Sequence, residues 1–406
     1  MTGKLPMDGL PRISPGAGFS LLKDIRVIDL TTSVAGPYAT MLLSDMGAEV
    51  IKIERSGGDD TRAWGPPFLD GESLWFASVN RGKKSVVLDL TTAAGKEQIA
   101  LLVAGADVVV TNQPPRVQKK LGLDYETLKG HRPDLIFTSI TGFGLTGERS
   151  NLACYDLIAE GYSGIMDLTG TAECAPQKVG APAADMLSGQ DAAMATIAAL
   201  FDRLRTGKGH LVDVALVDSM TRFLSPRISS YLGSGEVPTR SGGTDSVIAI
   251  YQAFETLDKP ITLGLGTDGI WQRFWQALDE PDYATRAGFA SNAERRERRA
   301  QIVNDIQARL RTKTRGEWLD IFGKSRVPAG PINKVDEVAS DRLLQERGMF
   351  YLLQDEERAI PQIGLGIQID SCYTVAQSMP PKLGEHTEQV LGSLRVEPET
   401  VSKTIN

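Results

Sequence analysis

The chain has 406 residues, of which 41% are hydrophobic and 23% charged, and its net charge is −7. That length exceeds one small core and predicts a larger and a smaller domain. The acidic balance argues against nucleic acid and polyanionic membranes as partners, so any anion site must be a local cluster of Lys and Arg.

Cys154, Cys174 and Cys372 are scattered without a CxxC pair, and His131, His210 and His386 lack metal-ligand spacing. Neither a disulfide framework nor a metal site is expected. There is no run of 18 apolar residues and no signal-type start, so the expected location is cytoplasmic.

Residues 1–20 are rich in Gly and Pro and read as a flexible N-terminal tail. Ile25–Leu30 is a short aliphatic run and predicts a buried strand. Thr31–Pro37 is a turn, Tyr38–Met46 has helical spacing closed by Gly47, and Glu49–Glu54 is the next strand. This strand–helix–strand unit implies parallel strands and a right-handed crossover. The pattern repeats with strands at Ser85–Leu90, Asp107–Thr111 and Leu135–Ile140, and a helix at Thr92–Gly105. The fold class is therefore α/β, a large doubly wound Rossmann-like domain.

Asp191–Arg205 is helical, and His210–Leu216 predicts a strand of the same sheet. Beyond Pro226 the composition changes. Strand patterns at Ser246–Phe254 and Pro260–Leu265, then helices at Gly269–Leu278, Asn292–Arg311 and Gly316–Gly323, predict a smaller α+β domain. The expected division is a tail at 1–20, a large α/β domain at 21–216, a linker at 217–240, a small domain at 241–330, a linker at 331–355, and a C-terminal segment at 356–406 returning to the large domain. That last segment carries a strand pattern at Gly364–Ile369 and a helix near Glu385–Leu394. Helix 292–311 is rich in arginine, but Glu294, Glu297 and Asp305 interleave, as on a solvated face.

The turn Thr32–Pro37 joins a strand end to a helix start, where backbone N–H groups can face an anion. It is not GxGxxG, so no nicotinamide cofactor is expected. Basic residues recur just after strand ends: Arg55 and Arg62; Arg81, Lys83 and Lys84; Arg116, Lys119 and Lys120. Gathered at one sheet edge, they would suit a ligand with several phosphates. Two carboxylates stand out. Asp185 precedes an Ala-rich helical pattern and reads first as a helix N-cap and second as a nucleophile. In the cap role it would stay ionised at neutral pH. Asp156 likewise reads as a cap or as a second carboxylate at the site.

Six stretches carry a family resemblance: IRVIDLTTSVAGPYATMLLSDMGAEVIKIERSGGDDTR (25–62), SVNRGKKSVVLDL (78–90), SITGFGLTG (139–147), YDLIAEGYSG (155–164), VGAPAADMLSG (179–189) and RTGKGHLVDVAL (205–216). In these the chain resembles the class III CoA-transferases, which include formyl-CoA transferase and crotonobetainyl-CoA:carnitine CoA-transferase. The resemblance implies that Asp185 is the nucleophile. It would move CoA from an acyl-CoA donor to a carboxylic acid acceptor through an aspartyl anhydride and an aspartyl-CoA thioester. Coenzyme A then serves as part of the substrate, with no metal.

The resemblance further assigns CoA contacts to Val34, Ala35, Arg55, Leu88, Asn112, Gln113, Lys120 and Leu121, with Arg55 and Lys120 toward phosphates. Asp156, Tyr155, Gly242 and Gly243 would support the active site, the glycines as part of a shielding loop at 241–245. Small residues Ala183, Ala184 and Gly189 would admit the pantetheine arm. An interlocked homodimer is implied. The related racemases need His directly before the acid at position 156, and Tyr155 stands there, a poor base at neutral pH. A CoA-dependent lyase and a non-catalytic CoA-binding protein are the remaining rivals.

Overall fold

A computed structural model describes residues 5–16 and 18–394. The chain forms two compact units. The first holds the described residues of Met1–Ile165, Lys178–Leu232 and Ala339–Asn406, and the second holds Met166–Gln177 and Gly233–Val338.

The first unit is built on six strands: β1 (Arg26–Leu30), β2 (Glu49–Glu54), β3 (Lys83–Val87), β4 (Val108–Thr111), β5 (Ile136–Thr141) and β6 (His210–Ala215). All pair in parallel, in the order β3-β2-β1-β4-β5-β6. This is the doubly wound order, and it reverses between β1 and β4. The short aliphatic runs form strands buried on both faces. Val27, Val50 and Val108 face one side, toward helices α1 (Ala35–Asp45) and α5 (Ala183–Thr206). Their neighbours Ile28, Ile51 and Val109 face the other, toward α2 (Ala93–Ala104). Between α2 and α5 come α3 (Pro115–Leu121) and α4 (Asp156–Ser163), and α6 (Leu216–Phe223) follows β6.

The segments at the chain ends cover this unit's edge. Arg12 and Ile13, read from sequence as tail, pair in parallel with Leu352 and Leu353. Strand Phe350–Gln354 pairs in turn with Ala359–Ile363. The predicted strand at 364–369 is therefore displaced toward the chain start, with only Gln368–Ile369 extended at its far end. Helix Thr387–Ser393 follows a return to the edge strand β3, where the Val87 N–H donates to Thr387 Oγ1 (3.0 Å) and the His386 N–H to the Ser85 carbonyl (2.9 Å). A covered edge cannot template unwanted strand pairing. Residues 395–406 of the expected C-terminal segment lie outside the described residues.

The stretches read as linkers hold regular structure. Residues 217–240 contain most of α6 and helix Ser225–Ser234, and residues 331–355 contain helices Val335–Ala339 and Arg342–Glu346.

The second unit has an antiparallel sheet of Tyr251–Phe254, Ile261–Gly264 and Ala329–Pro331. Its core is aromatic, with Trp271, Phe274, Trp275, Tyr283, Trp318 and Phe322 buried together. The predicted helix 292–311 is two helices, Asn292–Glu297 and Arg299–Leu310. Several of its arginines are not free in solvent. Arg295 is buried against Asp268 and Trp271, and Arg309 grips both oxygens of Glu280 at 2.7 and 2.6 Å.

Candidate active site

At the point where strand order reverses, the loops after β1 and β4 are joined by a side chain. Asn112 accepts the Thr32 N–H (3.1 Å) and donates to the Thr32 carbonyl (2.7 Å). The next residue, Ser33, has a left-handed φ of 68° and donates its N–H to Asp59 Oδ1 (3.2 Å). The Thr31 N–H donates to Asp29 Oδ1 (2.9 Å). The N–H groups of residues 31–33, expected in part to face an anion, are thus spent on the side chains of Asp29, Asn112 and Asp59.

Charges beneath this loop hold it in place. Lys83 Nζ lies 3.0 Å from Asp29 Oδ2, and Lys52 Nζ lies 2.9 Å from Asp59 Oδ2, all four side chains being fully buried. Lys52 also donates to the Thr31 carbonyl (2.8 Å). Burial disfavours every one of these charges, and only mutual pairing keeps them. Burial alone would raise Asp29, yet Lys83 and Lys52 hold its carboxyl far below the carboxylate range. Burial likewise opposes the Lys52 ammonium, but Asp29 and Asp59 hold it above its ordinary value. Lys83, with burial dominant and Lys52 nearby, falls to about 8.

These pairs correct the reading of the basic clusters. Lys83 and Lys84 begin β3 rather than follow it. Arg81 is buried on Asp45, Arg62 grips Glu54 at 2.8 and 2.7 Å, and Lys84 pairs with Glu49. Arg55, exposed and paired with Asp60, remains at the carboxyl end of β2, and Lys119 and Lys120 are exposed on α3.

Asp185 stands two residues inside α5 rather than at its cap, because the helix begins at Ala183, directly after Pro182. The capping carboxylate comes from elsewhere. Asp156 Oδ1 accepts the N–H groups of Ala184 (2.8 Å) and Asp185 (3.2 Å). Asp156 is thus the first residue of α4 and the cap of α5. Burial and the Asp156 charge together push the Asp185 carboxyl up to about 7. The expected permanently ionised carboxylate is instead balanced between its two forms at neutral pH. The nearby Cys154 thiol, raised to about 11 by burial and by Asp185, stays protonated.

Two cavities adjoin the switch point. One, of about 270 Å³, is lined by Ser33, Ala35, Asn112, Cys154, Tyr155 and Asp185, among others. The second, of about 330 Å³, is lined by Arg55, Gly58, Leu88, Leu121 and Leu123, among others. Both include Thr32 and Gln113. The first unit therefore brings six of the eight expected CoA contacts to the two cavities, namely Ala35, Arg55, Leu88, Asn112, Gln113 and Leu121, while Val34 is buried just before α1 and is absent from both linings. Lys120 lines neither cavity.

Gly242 and Gly243 belong to the second unit, where the Gly242 N–H donates to the Gly170 carbonyl (2.8 Å). Ala184 and Gly189 are buried. A Cβ on Gly189 would sit 2.6 Å from the Ala35 carbonyl, so that glycine serves the close packing of α5 on α1. Sequence reading missed Thr32 as a wall of both cavities, Cys154, and Glu160, which lies one helical turn beyond Asp156.

Known proteins match this arrangement over nearly the whole chain. The family model for CoA-transferase family III covers residues 22–387. The chain belongs to that family. It is 39% identical to the succinate–glutarate CoA-transferase of Agrobacterium fabrum, over 94% of this chain and 97% of the relative. It is 38% identical to the succinyl-CoA:mesaconate CoA-transferase of Haloarcula hispanica, over 91% and 95%. Among solved structures, a CAIB/BAIF family protein from Brucella suis superposes with a TM-score of 0.81 at 38% identity, covering 93% of this chain and all of that one. The chain is thus a CoA-transferase. Among its described residues no helix is long and apolar enough to cross a membrane.

Proposed function

We propose that Asp185 is the nucleophile of a CoA transfer from an acyl-CoA to a dicarboxylic acid. One observation carries this reading. Asp185 lines a cavity that shares Thr32 and Gln113 with the cavity of Arg55, Leu88 and Leu121. A long thioester can lay its nucleotide end against Arg55 and bring its carbonyl to Asp185.

The ionised Asp185 attacks the thioester carbonyl, and CoA thiolate leaves as the acyl-aspartyl anhydride forms. The thiolate then attacks the Asp185 carbonyl of the anhydride. The donor acid departs as its carboxylate, and an aspartyl-CoA thioester remains. The acceptor carboxylate attacks that thioester, expels CoA thiolate and gives a second anhydride. Thiolate attack on the acceptor's acyl carbon releases the new acyl-CoA and restores Asp185. No net proton is consumed.

The environment of Asp185 supports this course. Burial beside Asp156 makes its ionised form costly and raises its basicity. Acylation removes that charge, so the same burial favours the neutral covalent states. Tyr155 in place of His supports transfer over racemisation. A lid role for Gly242 and Gly243 is part of the proposal.

The dicarboxylic class rests on the two relatives quoted above, whose names pair succinate or succinyl-CoA with glutarate or mesaconate. A second copy of the chain is proposed as partner. Met194, Ile197, Phe201 and Leu204 form an exposed apolar stripe at helical spacing on α5, with Leu204 82% exposed. The transfer is tested by incubating the enzyme with succinyl-CoA and glutarate, mesaconate or acetate. Ping-pong formation of glutaryl- or mesaconyl-CoA is expected, whereas transfer to acetate alone would overturn the substrate class.

A further inference from the structure

Helix α4 carries two acids one turn apart, and both reach the segment that presents Asp185. Asp156 Oδ1 holds the N–H groups of Ala184 and Asp185. Glu160 Oε2 accepts the Val179 N–H at 2.8 Å. The stretch from Val179 to Asp185, with Pro182 inside it, is therefore gripped at both ends by two acids of one helix, as i, i+4 spacing allows.

Glu160 is fully buried, and its second oxygen, Oε1, has no donor to accept from. An ionised carboxylate in that position would leave a lone pair bare in the interior, at substantial cost. Asp156 stands one turn before Glu160 on the same helix, and two such carboxyl groups can share a hydrogen bond only with a proton between them. Burial pushes the Glu160 carboxyl upward and the Asp156 charge adds to it, while the Val179 N–H and Lys178 oppose them without reversing the direction. Asp185 adds a third acid to the group, so the cluster gains by holding fewer than three charges.

We propose that Glu160 is a positioning residue that acts as a neutral carboxylic acid. Its hydroxyl donates to Asp156 and its carbonyl oxygen accepts the Val179 N–H. One proton on this pair then locks Asp156 in place as the cap of α5 and fixes Asp185 against the cavity. The inference rests on Asp185 being the nucleophile.

The test compares wild type, Glu160→Gln and Glu160→Ala in the succinyl-CoA transfer assay, with Asp185→Ala as control. Gln keeps a donor and an acceptor but cannot ionise. It is expected to retain kcat within about threefold and to leave the acid limb of the pH profile in place. Ala is expected to lose about tenfold to a hundredfold in kcat with little change in KM for the thioester, the signature of a misplaced reacting group. If Gln is as damaged as Ala, an ionised Glu160 is required and the proposal fails. If both match wild type, Glu160 positions nothing.

Should Ala fail to fold, infrared difference spectra of wild type against Glu160→Gln decide the matter. A protonated-carboxyl carbonyl band lost in the Gln variant is expected, and its absence from wild type would refute the neutral acid. Transfer surviving in Asp185→Ala would instead overturn the nucleophile and leave the Glu160 infrared result to stand by itself.

Discussion

The carboxylate of Asp156 receives the backbone N–H of Asp185 at 3.2 Å, so one acid holds the main chain of the other while its charge raises that other's pKa. Position and reactivity of Asp185 therefore depend on the same neighbour. Asp156→Asn separates the two effects, because Asn keeps an oxygen for the Ala184 and Asp185 N–H groups but loses the charge. The expected result is a folded enzyme whose acid limb moves to lower pH. Asp156→Ala loses the cap as well and should cost about 1 kcal/mol of stability. Denaturant melts and pH–rate profiles of the two variants check this.

The pH dependence of the wild type follows from the same shift. In the proposed reaction only ionised Asp185 attacks, and burial with the Asp156 charge pushes its carboxyl up to about 7. The kcat/KM for acyl-CoA should rise with pH through that value and level off above it. A profile already flat from pH 5 upward would show that Asp185 is not the titrating nucleophile.

Stability should move the opposite way. The native state holds the Asp185 proton up to about 7, while the unfolded chain releases it near the ordinary value of 3.8. Between these values the native state binds more protons, so this group's contribution to stability falls as pH rises. Asp185→Asn should therefore stabilise the protein by about 1–3 kcal/mol at pH 8, with a smaller gain at pH 5. Urea melts at both pH values read the difference.

The switch-point loop depends on buried ion pairs. Replacing Lys52 with Met removes one cation and leaves Asp59 and Asp29 short of a partner in the interior. Such half-broken pairs cost about 3–5 kcal/mol. A Lys52→Met variant with the wild-type urea midpoint would contradict this account of the loop.

Arg55 is the cation of the second cavity at the end of β2. Arg55→Ala should raise KM for the CoA ester severalfold and leave kcat unchanged, since the proposed phosphate contact would be shared by ground and transition states. Steady-state kinetics with one donor suffices.

What the sequence made legible was local. The aliphatic runs at Arg26–Leu30, Glu49–Glu54 and Val108–Thr111 announce buried parallel strands, because both faces of each are covered. Family motifs led to Asp185, Asn112 and Gln113. What stayed hidden was set by partners far away in sequence. Asp185 resembled its own helix cap, whereas the cap is Asp156, 29 residues earlier. Arg81 and Lys83 looked like phosphate ligands because Asp45 and Asp29, their buried counter-ions, lie 36 and 54 residues away. Glu160 gave one overlooked signal, its i+4 spacing from Asp156 on a predicted helix.

The central claim is a covalent bond to Asp185, and mass spectrometry tests it most directly. The enzyme would be mixed with succinyl-CoA, quenched with hydroxylamine or borohydride, digested, and the peptide carrying Asp185 sequenced. The account predicts a hydroxamate or a reduced alcohol at Asp185, dependent on the donor and absent without it. Unmodified Asp185 in an enzyme that is turning over, with the label on another residue or on none, would contradict it.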